Sequence, residues 1–595
     1  MSDCTKEYKL YNATEAKLYS ETKPKVSVNS FSMIEFLVKT KARVLTEGIW
    51  DCFVDSDIDD SDGDTDCSED EPVQSPIKRI RIGSAVLTPD EEHFVESCSD
   101  EEILENEELS VELNNSVAQI GVDHQWTWTA KCDVKWCRGT INSQSFPYEQ
   151  AETDDPVEDY FSPLTYFMRY IPESLFDDIV TFTNTYAEQQ QTKKWRPTNK
   201  IEIKQFFGLQ VMMGNLKLPR IEMFYGKHFK CKMFEEIPEY RFYLLRTNLH
   251  LIDVQKIPEN CTDKFVRVRP LMDSVRKRCL ELPLEENLAI DEQMIPLRGR
   301  VCKGVKQYVK NKPKIKWGIK NLVLCGKSGL AYDFICYQGS STEFDPKTLE
   351  TFGSGATMVL QLANRIDRPG HKLFFDNYFS TFPVFEILAQ KKVYAAGTVR
   401  LDRFSKPPFS SDADMKKNGR GCSEELVSSN GSVSCVKWYD NKCVALASNY
   451  VGVGQADTAV RFDKISKQKI SISRPQIVRD YNLNMGGVDK MNQMIAYYRI
   501  FIRSKKWTLR MITHFIDFAV VQSHIEYKMD CEKSNIPKRQ VMDLLAFRMQ
   551  LSDQLVYSQS ITKRTARITL DEEIPKKQLE NLQNALVLDL GMRKS

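Results

Sequence analysis

The sequence contains no CxxC pair. Its sixteen cysteines are scattered over 595 residues, and the closest spacing of note is Cys132 and Cys137 in "KCDVKWCRG". With cysteines so scattered, free thiols in a reducing compartment are the default. A zinc site at Cys132 and Cys137 lacks a second ligand pair. Histidine is scarce, at seven residues, with none after His524, and no cysteine follows Cys531. No apolar run approaches the ~20 residues that cross a bilayer, so no membrane partner is expected. The opening "MSDCTKEYKLY" is polar and charged, unlike a secretory leader. No internal repeat is found. Net charge is also missing, with 82 Lys and Arg against 82 Asp and Glu.

That balance hides a segregation. From Asp51 to Glu112 there are 22 acids against three bases, Lys78, Arg79 and Arg81, so the remaining chain carries a matching positive excess. An acidic arm on a basic body is expected of a nucleic-acid binder with an interaction tail, and also of a neutral enzyme with a disordered leader. Residues 1–115 read as a disordered acidic region, because "DSDIDDSDGDTDCSEDE" repels itself and has little to bury. Ser56, Ser61, Thr65 and Ser68 suit an acid-directed kinase, or are simply solubilising. "PIKRIRIG" (Pro76–Gly83) is a short basic cluster of the kind that directs nuclear import.

The texture changes at about Pro163. "SLFDDIVTFTNTYAEQQQ", "IEIKQFFGLQVMMGNLK" and "EYRFYLLRTNLHLI" have helical periodicity, which makes 116–285 a mostly helical domain. Strands dominate from Asn287, in "NLAIDEQMI", "IKWGIKNLVLC" and "LAYDFICYQG". The helix "ATMVLQLANRI", the strand "KLFFDNYFS" and the helix "FPVFEILAQKK" complete a segment over 286–400. Residues 401–475 read as a β-rich insertion with strands such as "CVKWYD" and "CVALASNYV". Helices return in 476–498 and 499–560, and 561–595 form a tail in which "PKKQLENLQNALVLDLGMRKS" suggests an amphipathic helix.

One stretch joins acid to base. "LAIDEQMIPLRGRVCKGVKQYVKNKPKIKWGIK" ends an apolar run in Asp291 and Glu292, then carries nine cations and no further acid: Arg298, Arg300, Lys303, Lys306, Lys310, Lys312, Lys314, Lys316 and Lys320. A solvated surface hairpin accounts for such a ribbon, and so does a groove for phosphates. Two other acids hold comparable positions. Asp376 ends the strand "HKLFF", and Asp489 opens a helix after "MGG". Carboxylates at two strand ends and a helix start can converge on a pair of divalent ions, and hard oxygen ligands suit Mg²⁺ or Mn²⁺. Taken singly, each serves equally as a cap or an ion-pair partner.

An ordered set of motifs then gives a resemblance. "DKFVRVRPLMDSV", "AIDEQMIPLRGR", "KQYVKNKPKIKWGIK", "FFDNYFSTFPVFEIL", "AAGTVR" and "YNLNMGGVDKMNQM" closely resemble the piggyBac transposase family and its domesticated relatives over about Asp159 to Lys528. The resemblance implies an α/β, ribonuclease-H-like catalytic core interrupted by the β-rich insertion and flanked by mostly α-helical DNA-binding and dimerisation segments. It implies a DDD triad of Asp291, Asp376 and Asp489, which would be both catalytic residues and ligands of two Mg²⁺ or Mn²⁺ ions. It also implies nicking at a transposon end, a hairpin intermediate, joining at TTAA, a homodimer on double-stranded DNA and a nuclear location. Two departures stand out. Members often carry an acid three residues after the third Asp, where this chain has Asn492, which shares a helix face with Asp489 and can still contact a metal or water. Many members also end in a Cys- and His-rich zinc module, which is not recognised here.

A second basic cluster, Arg499, Arg503, Lys505, Lys506 and Trp507, follows the third acid. The resemblance puts a DNA-contacting Trp there; capping the core of the next helix is the other reading of Trp507. His514 and His524 read as structural. Tyr497 and Tyr498 lack the Arg/His set of a tyrosine recombinase. The competing function is a domesticated DNA- or chromatin-binding protein that no longer cuts. A metallophosphatase for small substrates leaves the basic ribbons unexplained.

Overall fold

The computed structural model describes residues 118–120, 126–142, 145–149, 162–227, 231–297, 305–309, 317–463, 467–500, 502, 504 and 506–557. The acidic arm with its serines and threonine, the Pro76–Gly83 cluster and the tail helix lie outside them.

Three short strands lead the chain: β1 (Ala118–Ile120), β2 (Trp126–Trp128) and β3 (Trp136–Arg138). Helices α1 (Pro163–Tyr170), α2 (Glu173–Gln189), α3 (Lys200–Leu216), α4 (Glu239–Asn248) and α5 (Arg269–Glu281) follow. Then come β4 (Asn287–Pro296), β5 (Lys306–Tyr308), β6 (Trp317–Gly326), β7 (Ala331–Cys336), α6 (Pro346–Ala363), β8 (Lys372–Phe375), α7 (Phe382–Gln390) and β9 (Tyr394–Thr398). The next strands are β10 (Ser423–Ser428), β11 (Ser434–Tyr439), β12 (Cys443–Ser448), β13 (Asp457–Asp463) and β14 (Gln468–Arg474). Helices α8 (Gln476–Asn484), α9 (Gly487–Tyr497), α10 (Trp507–Lys533) and α11 (Leu544–Val556) close the described chain.

Local chemistry sets the helix starts. Pro163 opens α1, where a missing N–H costs nothing. Asn199 caps α3 by accepting from the Glu202 amide at 3.0 Å. Glu202 is also held by the buried Arg241 of α4, through bonds of 2.8 and 2.6 Å. The long helix α10 joins helices to sheet. Its Phe515 and Phe518 pack on Phe334 of β7 with ring centroids 5.4 and 5.6 Å apart. Its Glu526 accepts from Arg169 of α1 and Arg278 of α5 at 3.0 and 2.6 Å and is bonded by the Tyr170 hydroxyl. Arg548 of α11, fully buried, donates to Asn215, Asp517 and the Tyr498 carbonyl. A buried guanidinium is tolerable because three acceptors surround it.

One ten-stranded sheet runs in the order β3-β10-β11-β12-β9-β8-β4-β6, with β5 and β7 both pairing β6. The β4–β8 and β8–β9 pairs are parallel, and the other pairs in this sheet are antiparallel. Successive residues of β8 face opposite cores. Phe375 meets Phe385 of α7 at 5.3 Å, while Phe374 packs with Ala396, Trp438, Ile477 and Val478 on the other face. Strands covered on both faces read as apolar runs, which is why "LAI" and "LFF" are unbroken. Residues 401–475 are rich in strands, and most of those strands join the main sheet. Strands β10–β12 extend the main sheet because β12 takes the open edge of β9, pairing Ser448 with Ala396. Of the strands in this stretch, β13 and β14 form a separate two-stranded hairpin, as β1 and β2 form a separate pair near the start of the described residues.

Candidate active site

The register of the parallel strands builds the site. Ile290 of β4 pairs with Phe375 of β8, and Phe375 pairs with Gly397 of β9. One residue on, Asp291, Asp376 and Thr398 therefore lie side by side across three strands. Asp376 follows β8 directly, whereas Asp291 does not end its strand: β4 continues to Pro296, held by antiparallel pairing to β6. Carboxyl ends of parallel strands are where open α/β sheets bind ligands.

The third acid arrives on α9. Asp489 lies in the first turn of that helix and makes no hydrogen bond or ion pair with a described residue. The helix start is pressed onto the sheet at Gly487, where a Cβ would come 2.4 Å from the Gly326 carbonyl oxygen. Only glycine lets the backbones approach so closely. One turn after Asp489, Asn492 accepts from Gln293 Nε2 at 2.7 Å. Gln293 lies two residues after Asp291 and so on the same strand face. Its Oε1 accepts from Asn321 Nδ2 at 3.2 Å and from His514 Nε2 at 3.0 Å. Burial, aided by Arg499, pushes the His514 imidazole down to about 3, so it is neutral with its proton on Nε2.

Tyr481 of α8 lies within the electrostatic reach of all three acids. Burial raises its phenol well above the ordinary value, and the negative charges of Asp376, Asp291 and Asp489 raise it further, while a hydrogen bond with Thr398 acts the other way. All three carboxylates thus act on one hydroxyl. Asp376 is also oriented: Asn377 N, Asn377 Nδ2 and Thr398 Oγ1 donate to its Oδ1 at 2.6, 3.0 and 2.7 Å. Its Oδ2 has no donor among the described residues. The Glu292 amide donates to Asp291 Oδ1 at 2.8 Å. Among the described residues no three His, Cys, Asp or Glu side chains close on a single metal-binding point. The three acids offer hard carboxylate oxygens, the ligand type that magnesium takes, commonly one or two at a time with its waters kept.

Sequence reasoning named the three acids and Asn492. It passed over Tyr481, Thr398, Asn377 and Gln293. Gln293 had a signal, the period-2 spacing from Asp291; Tyr481 and Thr398 belong to quoted motifs but carry no signal of contact. Of the basic residues, Lys306, Lys320, Arg499 and Lys506 are described, and Arg298, Arg300, Lys303, Lys310, Lys312, Lys314, Lys316, Arg503 and Lys505 lie outside the described residues. Lys506 is exposed. Trp507 is half-buried at the start of α10, edge-on to Phe265 at 6.2 Å, which gives it a packing role. His524 bonds the Met542 carbonyl at 3.1 Å. Cys132 and Cys137 are exposed free thiols. No helix among the described residues is long and apolar enough to cross a membrane.

A family model described as transposase IS4 matches residues 162–524, more than half of the chain. The human piggyBac transposable element-derived protein 3 is 31% identical over 368 residues, covering 59% of this chain and 59% of that protein. The chain thus spans about three-fifths of that relative's length. The human piggyBac transposable element-derived protein 2 is 27% identical over 473 residues, 78% of this chain and 75% of the relative. Among solved structures, a cryo-EM structure of a piggyBac transposase synaptic complex with hairpin DNA matches the fold. Its TM-score is 0.57 at 24% identity, with 71% of this chain and 84% of that chain covered.

Proposed function

We propose a DNA-cutting and strand-transfer chemistry for this chain, which belongs to the transposase IS4 family in its piggyBac form. The observation that carries the reading is the register that sets Asp291 beside Asp376, with Asp489 acting on the same Tyr481 hydroxyl. The strand order β7-β6-β4-β8-β9, with its antiparallel-then-parallel pattern, supports a ribonuclease-H-like core. A pair of divalent ions, Mg²⁺ or Mn²⁺, would supply activation of the attacking oxygen and neutralisation of the leaving one. Asp291, Asp376 and Asp489 would hold them. Thr398 and Asn377 occupy one oxygen of Asp376 and leave the other for this task. Gln293, fixed by Asn321 and His514, holds Asn492 and with it the turn of α9 that presents Asp489. The DNA lies on the basic residues from Arg298 to Lys320 and from Arg503 to Lys506, as phosphates need. The substrate is double-stranded DNA at transposon ends with TTAA targets, handled by a homodimer in the nucleus.

The test is a nicking assay on TTAA-flanked element ends with Mg²⁺. Asp291→Asn, Asp376→Asn and Asp489→Asn should each lose cleavage and keep DNA binding; cleavage by any one of them removes that residue from the site. Lys312, Lys314 and Lys316 changed together to Ala should weaken binding to all sequences alike and flatten its salt dependence. An unchanged slope refutes the phosphate groove. A second reading, a domesticated DNA-binding protein without cutting, is favoured by Asn492, which puts a neutral amide where relatives often have an acid. Retained binding with no nicking by the natural chain would select it.

A further inference from the structure

We infer that Tyr308 and Trp317, at the edge where β5 meets the start of β6, form a stacking surface for unpaired nucleotides of the DNA strand handled at Asp291. The inference rests on the DNA-cutting reading and adds a second contact to it. The two residues are paired directly across the strands, with ring centroids 4.8 Å apart. Tyr308 is 49% exposed and Trp317 50% exposed, so half of each remains open to solvent. The Lys306 ammonium lies 4.9 Å from the Trp317 ring centre.

Register puts this pair on the active face. Residues directly opposite in a sheet share a face. Asp291 is opposite Val323, Gln293 opposite Asn321 and Ile295 opposite Ile319. Ile319 is opposite Lys306, and Trp317 opposite Tyr308. All of these alternate positions lie on one side, the side where Gln293 meets α9. Trp317 is six residues along β6 from the position opposite Asp291. At about 3.3 Å per residue that is ~20 Å, or roughly six nucleotides of a stacked strand at about 3.4 Å each.

Charge selects the occupant. Every charged residue after Glu292 and up to Lys320 is Lys or Arg, nine in all. Open rings beside cations suit single-stranded nucleic acid, whose bases offer free faces, whereas a closed duplex hides them. A segment opened or frayed beside the cut is such a strand.

The experiment uses the full chain at fixed salt with three probes: a 12-nucleotide single strand, a duplex with a six-nucleotide overhang, and a blunt duplex of the same sequence. Trp317→Ala should weaken binding of the first two about tenfold. It should leave the blunt duplex within about twofold and keep the salt slope. Trp317→Phe should restore most of the loss, which a merely unfolded variant does not allow. Equal losses on all three probes, or none, overturn the inference while the DNA reading stands. Failure of the natural chain to bind any probe overturns both. A shift of Trp317→Ala from dimer to monomer in sedimentation, with all three affinities kept, assigns the rings to a second copy of the chain and overturns the inference.

Discussion

Carboxylates in two regions of this molecule are treated in opposite ways. In the helical body three acids that are buried or nearly so have guanidinium partners: Glu202 has Arg241, Glu526 has Arg169 and Arg278, and Asp517 has Arg548. Around Tyr481 the pattern reverses. Asp376 has only amide and hydroxyl donors, all on one oxygen, and Asp489 has no partner among the described residues. The guanidinium-paired acids are neutralised in place, whereas Asp376 and Asp489 keep negative potential for an incoming cation. The Arg276–Asp333 bond of 2.5 Å beside β7 belongs with the first kind.

The largest effect on stability should come from breaking that contrast in the helical body. Arg548→Ala leaves Asp517 buried without its cation, and the Asn215 and Tyr498 acceptors lose their donor. Removing one partner of a buried pair costs about 3–5 kcal/mol. Burial already pushes the Asp517 carboxyl up against the pull of Arg548, so the charge is expensive to hold alone. In metal-free buffer, Asp489→Asn should change stability by less than about 0.5 kcal/mol, as at an exposed position. Chemical denaturation of both variants decides. A large loss for Asp489→Asn would mean that this acid serves the fold.

A smaller effect concerns the neutral network beneath the site. His514 is buried and pushed down to about 3, while an unfolded histidine protonates near 6.5. Below 6.5 the unfolded chain binds a proton that the folded chain refuses. Stability from this group is therefore complete above about pH 6.5 and falls as pH drops toward 3. By pH 5 the loss is about 2 kcal/mol. His514→Gln keeps a donor for Gln293 Oε1 and removes the titration, so its melting temperature should fall less than that of the natural chain between pH 7 and 5. Equal slopes would show that His514 takes up its proton alike in the folded and unfolded chain.

These comparisons also show what the sequence could reveal. Long periodic segments such as "WTLRMITHFIDFAVVQSHIEYKM" were legible as helices because burial repeats at helical spacing, and the apolar runs before Asp291 and Asp376 were legible as strands. The three acids stood out in the sequence through the ordered motifs around them. The pairing of β12 with β9 was not, because nothing within residues 401–475 states which edge they will take. Nor were the contacts of Tyr481, Thr398 and His514, since 105 positions separate Asp376 from Tyr481 and 221 separate Gln293 from His514. His514 read as structural, which it is, yet it reaches the site through one glutamine.

The smallest and sharpest effect should come from Asn492, where the paired and unpaired treatments of charge meet. Its Oδ1 accepts from Gln293 Nε2, and a carboxylate can accept the same bond. Asn492→Asp therefore keeps the network and adds one negative charge a turn away from Asp489, on the same helix face. Without metal, two acids at i and i+3 repel, which costs roughly 0.2–0.5 kcal/mol. With metal, the added charge attracts a divalent ion across partly wet space, which should lower the Mg²⁺ concentration for half-maximal nicking roughly two- to tenfold. The same change should make thermal stability rise with added Mg²⁺ more steeply than in the natural chain, a readout that requires no cleavage. If neither the nicking midpoint nor the Mg²⁺ dependence of stability moves, position 492 does not face the ions, and Gln293 holds it for packing alone. If stability responds but no form nicks, the site still gathers cations and cutting has been lost elsewhere in the chain.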